Sequence, residues 1–305
     1  MLLVLFSIGV FVLFEGDLEG DFESTGQNTL SEEALQQQFA SDARQRLLYS
    51  LIIVDISAAA AAVFVGWLLA GKTLAPIQRA SEKQERFISD AAHELRTPLS
   101  VMKAGLETIE TGAGPGIEDY QRLNNEMHDE IERIVALSND LLFLSRSDQS
   151  ALPKVKTEVD ISAACTRQYE AILPYAKQKQ VSLRSEIQPG LHVNGDEDQI
   201  NRLILNLLKN SIDYNREDGE TSLVLEESDR KVVLDFSDTG MGMSAEDLDH
   251  AFDRFYKSDN ARERTDSGAG LGLSIVQEIV KYHGWNIKIV SRPGVGTKVA
   301  IILDT

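Results

Sequence analysis

The sequence has 305 residues, 43% of them hydrophobic, with a formal net charge of −18 at pH 7 and one cysteine, Cys165. That length is a soft prior for about two domains, and the apolar fraction is that of folded globular chains. The charge argues against nucleic acid as a partner, because phosphate backbones repel an acidic protein. A lone cysteine rules out an intramolecular disulfide, and no Cys/His cluster has zinc-site spacing. Cys165 itself reads as buried and inert.

In chain order, the first feature is Leu2 to Phe14, apolar but short for a bilayer span. It reads as a first crossing, since an external loop followed by a second span needs one; a signal-peptide core is the alternative. Leu47 to Ala70 is nearly all apolar, with Asp55 as its only formal charge, and is long enough to cross. Lys72, Arg79, Lys83 and Arg86 follow it, so that side is cytoplasmic by the positive-inside rule. The acidic stretch from Glu15 to Glu33 then lies outside. Residues 1–70 are thus expected to form a membrane region of two spans with a short acidic external loop, in the cell (plasma) membrane. A lone domain below ~40 residues usually needs disulfides or metals to fold, so input is expected from the membrane or its surface, or through a membrane partner protein.

Residues 71–86 read as a helical linker with little room for a separate domain. Residues 87–150 read as a helical hairpin. Its first helix runs to about Thr111, and TGAGPG at residues 111–116 is a turn signal. Leu123, Met127, Ile131, Ile134, Leu137, Leu141 and Leu144 recur in steps of three and four, one apolar stripe on the second helix. A lone hairpin cannot bury stripes on both helices, whereas two copies can, as a four-helix bundle. A homodimer is therefore expected. Pro98 is expected to bend or loosen the first helix locally.

Residues 151–305 mix helical patterns, Gln199 to Tyr214 and Leu271 to His283, with β-rich runs at Ser222–Glu226, Lys231–Ser237, Asn286–Ser291 and Lys298–Leu303. Alternating strands and helices suggest an α/β layered domain. The whole chain is then of the α+β class: transmembrane helices, a dimeric helical hairpin, and an α/β two-layer sandwich.

Four constellations carry chemistry. In FISDAAHELRTPLS, residues 87–100, His93 offers a nitrogen nucleophile, and Glu94 can take its proton and orient the ring. In NLLKNSIDYN, residues 206–215, Asn206 and Asn210 share a helix face, and amide oxygens are hard ligands suited to Mg²⁺. In DTGMGM, residues 238–243, Asp238 can accept from an exocyclic amine, while Gly240 and Gly242 let backbone approach a ligand. In GAGLGL, residues 268–273, Gly268, Gly270, Leu271 and Gly272 open a helix whose free N–H groups and dipole suit phosphate. That loop lacks the GK[ST] of a Walker motif and the placement of a dinucleotide fingerprint. Between the glycine boxes, the polar run Lys257 to Ser267 reads as a mobile lid in which Lys257, Arg262 and Arg264 can neutralise phosphate.

These strings, in this order over residues 87–305, resemble the sensor histidine kinases of two-component systems. The run His93, Glu94, Leu95, Arg96, Thr97, Pro98, Leu99 is similar to that family's phosphoacceptor box, Asn206–Asn215 to its asparagine box, and FDRFYK to its phenylalanine box. The resemblance implies a dimerisation and histidine phosphotransfer domain at residues 87–150. It further implies a catalytic ATP-binding domain at residues 151–305, of the fold shared with gyrase-type and chaperone ATPases. ATP and Mg²⁺ are the implied cofactors, with Asn210 as metal ligand, Tyr214 packing on the nucleotide and Asp238 reading the adenine amine. The implied reaction is autophosphorylation of His93, with Glu94 as base, then transfer to an aspartate of a response regulator. The matching Thr97 implies help in regulator dephosphorylation. The sequence departs from the family at Ser211, where Ala is usual, at Asp213, where a basic residue is usual, and at Trp285, where Gly is usual. Asp213 keeps open a scaffold or phosphatase that does not autophosphorylate; a gyrase-type clamp is the third reading, opposed by the phosphoacceptor box.

Overall fold

The computed structural model describes residues 30–111, 116–147, 157–258 and 268–303. The expected first crossing, Leu2 to Phe14, lies outside them, as do Arg262 and Arg264. The chain divides into two compact units, Met1–Gln84 and Glu85–Thr305.

Helix α1, Leu30–Thr111, is 82 residues long. Within the first unit, the most apolar stretch of Ala40–Lys72 has a mean hydropathy of 2.2 and none of it is buried inside the protein; among the described residues it is the one helix long and apolar enough to cross a membrane. The helix is unbroken through Pro76 and Pro98, so the local loosening expected at Pro98 is not seen as a break. Pro98 has no N–H for the carbonyl of Glu94. On either side, the hydroxyls of Thr97 and Ser100 donate to the carbonyls of His93 (3.4 Å) and Arg96 (2.9 Å).

The second unit pairs the end of α1 with α2, Ile117–Ser147, and follows it with a sheet-and-helix domain. That domain contains β1 (Thr157–Asp160), α3 (Ile161–Gln178), β2 (Ser182–Ile187), β3 (His192–Gly195), α4 (Glu197–Asp213) and β4 (Glu220–Ser228). Then come β5 (Lys231–Asp238), α5 (Ala245–His250), α6 (Gly272–His283), β6 (Asn286–Arg292) and β7 (Gly296–Leu303). The main sheet has five strands in the order β2-β4-β5-β7-β6, parallel only between β2 and β4. β1 and β3 form a separate antiparallel pair. Asp229 and Arg230, with φ of 51° and 62°, join β4 to β5 in the two-residue turn that matches strand twist.

One sheet face carries α3, α4 and α6, and the core lies between the two layers. Alternate residues Leu223, Leu225, Val232, Leu234, Phe236, Ile301 and Leu303 bury against Ile200, Leu203, Ile204, Leu207 and Leu208 of α4 and Ile275, Val276 and Ile279 of α6. Side chains cap the helices that frame the site. Asp160 accepts from the Ala163 amide (2.8 Å) at the start of α3, and Asp196 from the Gln199 amide (3.1 Å) at the start of α4. Gly284, at φ 78°, ends α6 in the left-handed region. Trp285 stacks on His283 with centroids 4.1 Å apart. His283 accepts the Asp196 amide at Nε2 (3.0 Å) and contacts the Ile279 carbonyl through Nδ1 (2.8 Å), so Trp285 fills a packing role between α6 and the start of α4. Cys165 is buried, which pushes its thiol up to about 12 and keeps it inert at neutral pH.

Candidate active site

The α4 helix places Asn206 and Asn210 on one face, one turn apart. A Cβ added at Gly272, the first residue of α6, would stand 3.0 Å from Asn210 Oδ1 and 3.4 Å from Asn206 Oδ1. Both amides therefore converge on the N-terminus of α6, where unpaired N–H groups and the dipole favour anions.

These groups line a cavity of about 730 Å³, within the ~300–1,000 Å³ of small-molecule pockets. Its wall takes in Asn206, Asn210, Tyr214, Asp238, Gly242, Lys257, Gly268, Gly270, Leu271 and Gly272, together with Glu94 from α1. His93, Thr97 and Gly240 are not in that wall. His93 and Thr97 lie exposed on α1, while Glu94 is partly covered.

Asp238 ends β5. Its Oδ1 accepts from the amides of Gly240 (2.8 Å) and Thr297 (3.2 Å), which fixes the carboxylate's orientation. Burial holds its carboxyl above the ordinary aspartate range, partly opposed by those two bonds. The glycines beside it serve the protein's own closeness as much as a ligand's. A Cβ at Gly240 would run into the Tyr214 carbonyl, and one at Gly242, which has φ 64°, into the Arg292 carbonyl. Gly270, at φ 73°, would put a Cβ 2.8 Å from the Tyr256 carbonyl. Among the described residues nothing stands within 4 Å of a Cβ added at Gly268, and Leu271 is buried beside it.

Lys257 reaches back to α1, its Nζ 3.4 Å from Glu94 Oε1, both side chains mostly covered. Beside it the Phe87 and Phe255 rings meet at 5.8 Å, and the Arg254 guanidinium lies 5.2 Å from the centre of the Phe87 ring. Phe255 holds φ 63°, a left-handed backbone rare for a bulky residue and a mark of local strain. A second contact joins α4 to α2: Arg202 Nη2 bonds Asp140 Oδ1 and the Asn139 carbonyl (3.2 Å), and its guanidinium covers the Phe143 ring at 4.4 Å.

Sequence reasoning missed Tyr175, Lys179 and Arg202. Tyr175 and Lys179 come from α3 and line the cavity, and the Tyr175 hydroxyl donates to Asp213 Oδ1. Tyr214, half-buried and next to Asp213, has its phenol pushed up to about 12, first by desolvation and then by that carboxylate. No sequence signal marks these residues, because the contacts join elements 38 or more residues apart.

Residues 83–150 match the family model "His Kinase A (phospho-acceptor) domain", and residues 195–305 match "Histidine kinase-, DNA gyrase B-, and HSP90-like ATPase". The chain belongs to the sensor histidine kinases. Most of the cavity wall lies within the residues that the ATPase model matches, and the end of α1 and α2 lie within those that the phospho-acceptor model matches. The chain is 29% identical over 260 residues to sensor histidine kinase RppB of Synechocystis, covering 85% of this chain and 57% of that protein. It is 33% identical to sensor histidine kinase YkoH of Bacillus subtilis, covering 72% of this chain and 47% of that protein. It spans about half the length of the curated relatives it matches. Histidine kinase ThkA, solved in complex with response regulator protein TrrA, shares the fold with a TM-score of 0.56 at 17% identity, over 75% of this chain and 65% of that one.

Proposed function

We propose that this chain is an active, membrane-anchored histidine kinase that moves the γ-phosphoryl group of ATP to His93 and then to an aspartate of a response regulator. The observation that carries the reading is the union, in one compact unit, of an ATPase pocket with the helix bearing His93 and Glu94, joined through Lys257. A nitrogen of His93 attacks the γ-phosphorus, the bond to the β–γ bridging oxygen breaks, and ADP leaves. Glu94, the next residue, takes the imidazole proton. Asp238 accepts from the adenine amine, Tyr214 packs on the base, and the amides opening α6 hold phosphate. His93 lies outside the pocket wall, so the ATP-binding domain shifts along the hairpin before transfer.

The asparagines fit Mg²⁺. Among the described residues no group of three His, Cys, Asp or Glu could hold a metal, and amide oxygens beside a phosphate cradle suit an ion completed by the substrate's own oxygens. Asn210, with Asn206 beside it, would hold the ion, which when bound screens the phosphate charge.

Exposed apolar residues on the hairpin, among them Leu99, Val101, Leu106, Ile131, Val135 and Leu142, support a homodimer. The ThkA–TrrA complex supports a response regulator as partner, and Ala40–Lys72 supports anchorage in the cell membrane. The test is labelling of the full chain in detergent with γ-labelled ATP. Acid-labile, alkali-stable label that vanishes in His93→Gln is expected; label persisting in that variant would refute the assignment. Thr97, one turn after His93, is read as aiding removal of phosphate from the regulator. Thr97→Ala should keep labelling and lose dephosphorylation, and equal loss of both would make its role structural. Asp213 favours a second reading, a phosphatase or scaffold, for which wild-type chain would bind ATP and take no label.

A further inference from the structure

We propose that Lys179, at the end of α3, is a phosphate-directed binding residue of the nucleotide pocket, replacing the cation that position 213 lacks. The inference rests on the ATP reading of the cavity. Position 213 carries an acid one turn beyond Asn210, on the same face of α4. Taken alone, that acid opposes a polyanion. The structure ties it down: the Tyr175 hydroxyl donates to Asp213 Oδ1, so the carboxylate is anchored on α3.

Lys179 follows Tyr175 by four residues, which puts the two side chains on one face. Its Nζ lies 5.8 Å from the centre of the Tyr175 ring, and both residues line the cavity with Asp213 and Asn210. The stem of Lys179 is half-buried, and it caps the helix with its N–H on the Tyr175 carbonyl (3.0 Å), so the side chain starts from a fixed point. Two further described lysines line the wall. Lys257 is paired with Glu94; burial raises the Asp140 carboxyl, and Lys209, like Arg202, lies close enough to oppose part of that rise. Lys177, two residues before Lys179, lines a different groove, with Leu183 and Asp218. A hydroxyl that fixes the acid and an ammonium on the same cavity wall offset the charge that position 213 alone presents. An ammonium is a flexible point charge able to follow phosphate.

The experiment is calorimetric titration of the full chain in detergent with ATP and with adenosine, at low and at high salt. Lys179→Met should weaken ATP roughly five- to tenfold at low salt and less at high salt. It should leave adenosine affinity unchanged. Lys179→Arg should retain ATP binding, and Lys177→Met should behave as wild type. Unchanged ATP affinity in Lys179→Met, or equal weakening of ATP and adenosine, would overturn the inference and leave the ATP reading standing. A wild-type chain that binds no ATP would overturn both.

Discussion

Asp213 sits where its carboxylate can be read in two ways, as a charge facing phosphate or as an acceptor for Tyr175. The hydrogen bond shows that it serves the second purpose, and its place in the cavity wall leaves it within reach of the first. Asp213→Lys should therefore tighten ATP binding by on the order of 1 kcal/mol at low salt, the scale of one charge reversal in a partly solvated site. Calorimetry at two salt concentrations checks this; weaker binding in the variant would mean that losing the Tyr175 contact outweighs the charge. Asp238 gives a pH dependence. Its carboxyl is held above the ordinary aspartate range by burial, so the folded chain binds more protons than the unfolded one between the ordinary and the raised value. This group's contribution to stability falls as pH rises through that window. ATP affinity moves the other way, because the ionised acceptor is lost as pH drops through the raised value. Titrations from about pH 7 to about pH 4.5 should show ATP binding failing at a higher pH than an ordinary aspartate allows. Asp238→Asn should flatten the profile, and an identical profile in the variant would assign the dependence elsewhere.

At the scale of elements, the hairpin's second helix does more than face another helix. Leu144 is fully buried, and it and Leu137 belong to the same core cluster as α4 and α6. Leu144→Ala should cost roughly 2–5 kcal/mol, the range for truncating a buried leucine. Differential scanning calorimetry should show the transition of the ATP-binding domain lowered or split from that of the hairpin. An unshifted transition would show that Leu144 adds nothing to the docking. The apolar stripe that exposed this helix in the sequence was legible because its period is long and regular. So were α4, α6 and the strands β4 to β7, whose β-rich runs are bounded by turns. By contrast β1 and β3 have four residues each, too short for a period to register. β2 reads SLRSEI, an edge strand with no fully buried residue, and its polar alternation hides it. The boxes of the site were legible because each is local. What joins them was not, since Tyr175–Asp213, Arg202–Asp140 and Lys257–Glu94 are contacts between distant segments that no spacing encodes.

At the scale of the whole molecule, the described part of the first unit is one long helix, and its stretch Ala40–Lys72 is long and apolar enough to cross a membrane. Replacing residues 18–43 with a flexible Gly/Ser linker should leave both basal kinase activity and the response to stimulus in cells. A response that vanishes while basal activity persists would make the external segment the sensor. In the second unit, the clasp formed by Arg202 on Asp140, Asn139 and Phe143 lies one helical turn from Asn206, whose amide Nδ2 donates to the Arg202 carbonyl (2.9 Å). One helix thus bears both the contact with α2 and the asparagines proposed for the metal, and any coupling between that contact and ATP is thermodynamically reciprocal. Whatever factor ATP applies to the release of the clasp, release of the clasp must return to ATP affinity. Arg202→Ala is then a measurement of that factor without any stimulus. Its ratio of ATP dissociation constants to wild type reports how strongly occupancy and domain position are coupled, and a ratio of one would mean that the kinase loads nucleotide without regard to where its catalytic domain stands.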